Sequence, residues 1–219
     1  MQTLNLILVR HGRTSHNLGL RLTGWGDPDL DDRGREQAQA MAEKVTGQFK
    51  IDALYASTLQ RARQTAGFLT ELTGLVPEIK EDLKELNFGE VEGMTIPEIK
   101  STYPDLFANW RSFDEPEFAW PGGETKMVFH TRVDQAIWEI IQAEAGVHSN
   151  VAIVAHGGSL AGFICELTTG KPYQWREFLL DNCEYYVVEV HFEQTPLTRD
   201  NCTLKVAYTG RIVPLAADN

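Results

Sequence analysis

Ile7-Leu8-Val9-Arg10-His11-Gly12 decides how this chain is read. The apolar run from Leu4 to Val9, interrupted only by Asn5, stops abruptly at Arg-His-Gly. Such a run reads as a buried strand whose C-terminal tip carries two reactive side chains. In open α/β sheets, ligands bind beyond the carboxyl ends of the strands. Arg10 and His11 are therefore expected at the mouth of a site. The pattern returns at Val151-Ala152-Ile153-Val154-Ala155-His156-Gly157-Gly158. Two strands that each end in His-Gly bring two imidazoles together when they lie side by side.

Outward from the first strand, residues 12–17 form a polar loop, and 22–29 are rich in Gly, Pro and Asp. Asp31 is placed to cap a helix running through Val45, with Ala38, Met41, Ala42 and Val45 on one face and Gly47 as its stop. Residues 51–56 read as a strand. Ser57 then caps a helix over 59–72 that Gly74 ends. A weak strand at 77–79 and a loop at 83–93 follow, then the capping box Thr95-Ile96-Pro97-Glu98. Residues 104–124 carry prolines and five aromatics, Phe107, Trp110, Phe113, Phe118 and Trp120, and read as an irregular lid. A long amphipathic helix spans 124–145, a further helix 159–168, and late strands 184–192 and 203–208. The tail after Gly210 has no pattern. Strands alternating with helices predict a three-layer α/β/α sandwich with a mostly parallel central sheet and an antiparallel edge. The expectation is one domain over 1–219 with a small cap inserted at 90–125.

The chain has 219 residues, 42% hydrophobic and 23% charged, with a formal net charge of −11. That charge argues against a general nucleic-acid binder or an anionic-membrane binder. A local basic pocket would stand out against it. No signal peptide is visible, and no apolar stretch approaches the roughly 18 residues of a membrane span. Cys165, Cys183 and Cys202 show no CxxC spacing. They read as free thiols in a reducing, cytoplasmic setting, with Cys165 in the core.

Four groups of residues carry chemistry. The first is Arg10-His11 with Asn17 downstream. The second is Ser57-Thr58-Leu59-Gln60-Arg61-Ala62-Arg63-Gln64-Thr65-Ala66. By itself it is a solvated basic helix start, yet Arg61 follows a strand closely enough to reach the edge where His11 sits. The planar fork of arginine suits phosphate oxygens. The third is Leu83-Lys84-Glu85-Leu86-Asn87-Phe88-Gly89, in which Glu85 is one of 31 acidic residues. The fourth is His156-Gly157-Gly158, whose glycines admit a ligand to the backbone and whose helix start offers free N–H groups to an anion.

In this order the four groups closely resemble the histidine phosphatase superfamily, the phosphoglycerate-mutase-like fold. The resemblance covers about residues 4–190. It rests on Leu8-Val9-Arg10-His11-Gly12 with Thr14 and Asn17, on Leu59-x-Arg61-Ala62-x-Gln64-Thr65-Ala66, on Glu85 with Gly89 and Glu92-Gly93, on Gly122-Gly123-Glu124-Thr125, and on Val154-x-His156-Gly157-Gly158. It implies that His11 is the nucleophile and that Arg10, Arg61 and His156 bind phosphoryl oxygens. Glu85 is then the general acid and afterwards the base. Asn17, Thr23, Gly24, Arg63 and Gly157 are implied as pocket residues. It implies no metal and no cofactor. The residues agree: there is no HExxH, no DxD cluster and no Walker-type loop, and His11 with His156 supplies only two ligands. The expected partners are a small phosphorylated metabolite and inorganic phosphate. Oligomeric state is open, a homodimer included.

Phosphatases and mutases of this family share the core and differ in the cap. The segment 88–95 lacks the longer basic insertion with which the mutases hold two phosphates, and only Lys100 and Arg111 are basic between 88 and 125. This favours a metal-independent phosphomonoesterase acting through a phosphohistidine. Leu22-Thr23-Gly24-Trp25 resembles the mutases, so a cofactor-dependent phosphoglycerate mutase is the alternative, and a non-catalytic binding protein the third reading. Arg13 stands where the family has Glu and His16 where Trp is common. Arg13 either adds charge near the mouth of the pocket or points away from it.

Overall fold

A computed structural model describes residues 1–110 and 115–209. Strand β1 (Gln2–Arg10) forms the hub. Its apolar residues divide with the two-residue period of a strand. Ile7 and Val9 enter one apolar cluster; Leu4, Leu6 and Leu8 enter another, and all five are fully buried. A strand buried on both faces needs a layer on each side. Helices α2 (Asp32–Gln48) and α3 (Gln60–Thr73) cover the first face through Met41, Ala42, Val45, Ala62, Ala66 and Leu69. Helices α6 (Lys126–Glu144) and α7 (Gly157–Thr169) cover the second through Phe129, Val133, Ile137, Ile141, Leu160 and Phe163.

With β2 (Ala53–Ser57), β3 (Glu78–Lys80), β4 (Asn150–Ala155), β5 (Tyr185–Phe192) and β6 (Cys202–Thr209), the sheet runs in the order β3-β2-β4-β1-β5-β6. The first four strands in that order pair in parallel; β5 is antiparallel to both β1 and β6. The expected α/β/α sandwich with an antiparallel side is therefore present. The register pairs Arg10 with Ala155, so the next residue on each strand is a histidine. The backbone N–H of His11 donates to the Ala155 carbonyl at 3.0 Å and carries the ladder one step further.

Several local expectations are corrected. Helix α2 runs through Gly47 to Gln48, because tertiary packing of its apolar face outweighs the roughly 1 kcal/mol cost of one glycine. Leu59, not Ser57, is the N-cap residue of α3 and makes no side-chain cap bond; the Ser57 hydroxyl is engaged elsewhere. The lid is partly regular. After α1 (Ser15–Leu18) and the Thr95-capped α4 (Ile96–Thr102), residues Pro104–Trp110 form α5. Its aromatics close a separate small cluster in which Trp120, Val91 and Ile99 are buried and Phe107, Trp110 and Phe118 are packed around them. Arg111, Phe113 and the tail from 210 lie outside the described residues. All three cysteines are free, and Cys165 is buried. Among the described residues no helix is long and apolar enough to cross a membrane.

Candidate active site

His11 continues β1 into the site and is held from four directions. Its ring Nδ1 lies 2.7 Å from the Gly12 carbonyl oxygen, an acceptor only, so Nδ1 carries the proton and Nε2 presents a lone pair. Arg61 Nε donates to that lone pair at 3.2 Å. The peptide between His11 and Gly12 is clamped at both ends. Asn182 Nδ2 donates to the His11 carbonyl at 2.9 Å, and the Gly12 N–H donates to Thr65 Oγ1 at 3.0 Å. A side chain at residue 12 does not fit, since a Cβ there would stand 2.5 Å from the Gly34 carbonyl oxygen. Burial, followed by the nearby Arg61 and Arg10 cations, holds the His11 pKa well below the ordinary histidine value. The ring is therefore neutral at pH 7.

Arg61 projects from the first turn of α3 and is 1% exposed. Nη1 donates to Gly26 O at 2.7 Å and Nη2 to Gly24 O at 2.8 Å, fixing the plane of the fork. Gly24 adopts φ of 52°, which turns its carbonyl without a side-chain penalty. Glu92 holds that loop in place by accepting from the N–H groups of Trp25, Gly26 and Phe88. Burial lowers the Arg61 pKa to about 10, against the raising influence of Glu85, Asp27 and Glu92, so it stays charged. Arg10 donates to the Leu180 carbonyl through Nη1, and its Nε is buried without a hydrogen-bond partner. The His156 ring centroid is 5.2 Å from that of His11. Its Nε2 meets Ser57 Oγ at 2.8 Å, while its Nδ1 is also buried and unpartnered. Burial and then Arg61 push its pKa well down as well.

Glu85 arrives from a segment, 84–88, that is neither helix nor strand. Oε2 accepts from the Gly158 N–H at the start of α7 at 2.8 Å, and Oε1 from the Leu86 N–H at 3.0 Å. A Cβ at Gly158 would collide with the Glu85 carboxylate, so this close approach depends on the glycine.

A cavity of about 250 Å³ is lined by Arg10, His11, Asn17, Thr23, Gly24, Arg61 and Glu85 together. Two sequence-derived residues are placed differently. Arg63 is exposed and does not line the cavity, because two positions along a helix point to opposite sides. Gly157 backs onto the Arg10 guanidinium, and it is Gly158 that reaches the cavity. His156 is wholly buried beside His11. Arg13 points away: its Nε pairs with Asp31 at 2.8 Å and its N–H donates to Gln37. His16 does not line the cavity either.

Sequence reasoning missed Arg21, Arg176, Phe88, Trp175 and Leu179, which complete the wall; of the five lid aromatics, one or two of which were expected to face a substrate, Trp110 lines the cavity. It also missed Asn182. These residues come from loops and from the short 3₁₀ helix Pro172–Phe178, where no periodicity marks a face. The available signal was chemical, namely Trp-Arg and Asp-Asn pairs near the end of an otherwise acidic chain. Four arginines around one glutamate make the cavity a basic focus in a protein of charge −11.

The sequence and the architecture are similar to those of known proteins. The chain is 34% identical over 181 residues to the glucosyl-3-phosphoglycerate phosphatase of Mycobacterium tuberculosis, covering 80% of each protein. It is similarly 34% identical over 171 residues to a 2,3-bisphosphoglycerate-dependent phosphoglycerate mutase of Cytophaga hutchinsonii, covering 76% of this chain and 78% of that one. The solved native structure of a mycobacterial glucosyl-3-phosphoglycerate phosphatase superposes with a TM-score of 0.81 at 26% identity, over 96% of this chain and all of the other. The model of branch 1 of the histidine phosphatase superfamily matches residues 6–203, and the chain belongs to that family.

Proposed function

We propose that the protein is a phosphomonoesterase that works through a phosphohistidine on His11 and acts on a small phosphorylated metabolite. One observation carries the reading. A neutral imidazole, its tautomer set by the Gly12 carbonyl, presents Nε2 among arginines in the cavity that also holds the Glu85 carboxyl group. Incoming phosphate takes the Arg61 Nε donor away from His11 and so frees the lone pair for attack. Arg10, Arg61 and His156 hold the equatorial oxygens, with the unpartnered Arg10 Nε and His156 Nδ1 as donors. Nε2 bonds to phosphorus as the ester P–O bond breaks, and Glu85 protonates the departing alkoxide. Water then attacks phosphorus as the Nε2–P bond breaks, giving one proton to Glu85; inorganic phosphate departs and His11 is regenerated. Phosphoryl transfer needs positioning and charge neutralisation, which the arginines supply, so turnover should survive EDTA.

Arg21 and Arg176 with Phe88, Trp110 and Trp175 are the walls available to the rest of the substrate. Mutase activity is the second reading, favoured by Thr23 and Gly24 at the cavity wall. Against it, Lys100, the one basic residue of 88–125 among those described, is exposed and does not line the cavity. The test is rapid quench in alkali with a phosphorylated substrate, followed by mass analysis. An alkali-stable, acid-labile phosphate on the His11 peptide, absent from His11→Ala, is the expected result. Assay with 3-phosphoglycerate, with and without bisphosphoglycerate, distinguishes release of inorganic phosphate from isomerisation.

A further inference from the structure

Glu85 sits on a segment without ladder or helical bonds, yet a general acid must meet its leaving group within hydrogen-bond reach. Something else has to hold it. Arg132, on α6, lies behind the segment with its side chain 15% exposed. Nη1 donates to the carbonyls of Asp82 and Lys84, both at 2.9 Å, and Nη2 donates to the Glu85 carbonyl at 2.9 Å. Nε and Nη2 grip the Glu124 carboxylate at 2.9 and 2.6 Å. All five N–H donors of the guanidinium are thereby used. Glu124, 13% exposed, also accepts from the Asn87 N–H at 2.8 Å, and its own N–H donates to the Asn87 carbonyl at 3.1 Å. The pair therefore grasps the segment on both sides of Glu85. Arg132 does not line the cavity, and its charge is compensated by Glu124. Its contribution is geometric.

We propose that Arg132, oriented by Glu124, is a positioning residue for Glu85 that places the carboxyl group against the leaving oxygen. This rests on the reading of Glu85 as the acid. Lysine cannot replace it, because one ammonium on a flexible stem cannot reproduce a planar fork to three carbonyls and a carboxylate. A misplacement of about 1 Å costs roughly 10²-fold where geometry is limiting.

The test is single-turnover phosphorylation of His11 by 3-phosphoglycerate, an alkyl ester, and by p-nitrophenyl phosphate, whose leaving group needs little protonation. Arg132→Lys and Glu124→Gln should each slow the alkyl reaction by roughly 10- to 100-fold and the aryl reaction far less. In a Glu85→Gln background, Arg132→Lys should add little further loss with the alkyl ester. Equal losses on both esters, or an undiminished loss in that background, would overturn the proposal. So would variants at both positions that lose their fold along with their activity, since the pair would then be only a structural support. If Glu85→Gln itself shows no dependence on the leaving group, the assignment of the acid fails and this inference with it. If Glu85→Gln does and Arg132→Lys does not, only the inference fails.

Discussion

The two chemical ends of the cavity are built differently. His11 extends the central strand, and its neighbours are fixed by backbone. Its N–H bonds to Ala155 O, the Arg10 N–H to Glu184 O, and the Cys183 N–H to Arg10 O. Cys183 takes φ of 63° to make that last contact, and Asn182 beside it adds a side-chain bond to the His11 carbonyl. Glu85 has no such ladder. Its segment is held by side chains sent from elsewhere: the Arg132 fork, the Trp25 indole N–H to the Glu85 carbonyl, and the Glu92 and Glu124 carboxylates. A strand tip inherits its position from the sheet, whereas a loop residue needs dedicated polar partners. On the proposed mechanism, the His11 end should therefore fail through chemistry and the Glu85 end through geometry as well.

The largest expected effect is at His11. His11→Ala should reduce turnover of alkyl and aryl esters alike to background, measured by phosphate release. Surviving aryl turnover would place the nucleophile elsewhere. Next is Glu85→Gln, for which single-turnover rates should fall roughly 10²–10⁴-fold with alkyl esters and clearly less with p-nitrophenyl phosphate. Asn182→Ala tests the other end. It releases one side of the His11–Gly12 peptide, so its loss, up to roughly 10²-fold, should be the same for both leaving groups. A loss that depends on the leaving group would blur the distinction between the two ends.

Stability should show the same asymmetry with pH. His11, His156 and His130 are buried, with pKa values lowered first by burial; that of His130 falls to about 3. The unfolded chain therefore binds protons near pH 6.5 that the native state refuses. Each depressed histidine makes unfolding easier as pH falls below 6.5, by up to about 1.4 kcal/mol per pH unit until its folded pKa is reached. Above pH 6.5 these three contribute no slope. His130 lies outside the cavity lining, on α6 against Trp175. His130→Phe should remove one such slope in urea unfolding between pH 5 and 7, and an unchanged slope would contradict its buried neutral state. The smallest effect is at glycines. Gly67→Ala, in α3 with open space around it, should stabilise by about 0.4–1 kcal/mol. Gly162→Ala, which would collide with the His130 ring, should destabilise; thermal melts compare the two.

Much of the site was legible because its residues stand at element ends, where sequence pattern is strongest. An apolar run that stops at Arg-His-Gly declares a strand tip, and two such runs declare neighbouring tips. The motif carries Arg61 and leaves position 63 open, and helical geometry sends Arg61 and Arg63 to opposite sides. Ser57 looks like a cap because serine before a helix is one of the commonest cap signals. Its partner is instead His156, 99 residues away, brought across the sheet by the β2–β4 pairing. Arg13, left open by the sequence, turns to Asp31.

By itself the sequence determined the layers and the strand that organises them, because hydrophobic period and punctuation are local properties of a chain; that His11, Arg10, Arg61, Glu85 and His156 belong to one constellation was implied by the resemblance to the histidine phosphatase superfamily. Only the tertiary structure decided which proton His11 carries, that Asn182 and Thr65 clamp its peptide, that Arg21 and Arg176 join the wall, and that Arg132 and Glu124 hold the Glu85 segment from behind. Apart from the His11–Gly12 contact between neighbours, those contacts join residues from 8 to 171 positions apart, and the hydrogen-bond geometry that selects them exists only once the sheet has brought the loops together.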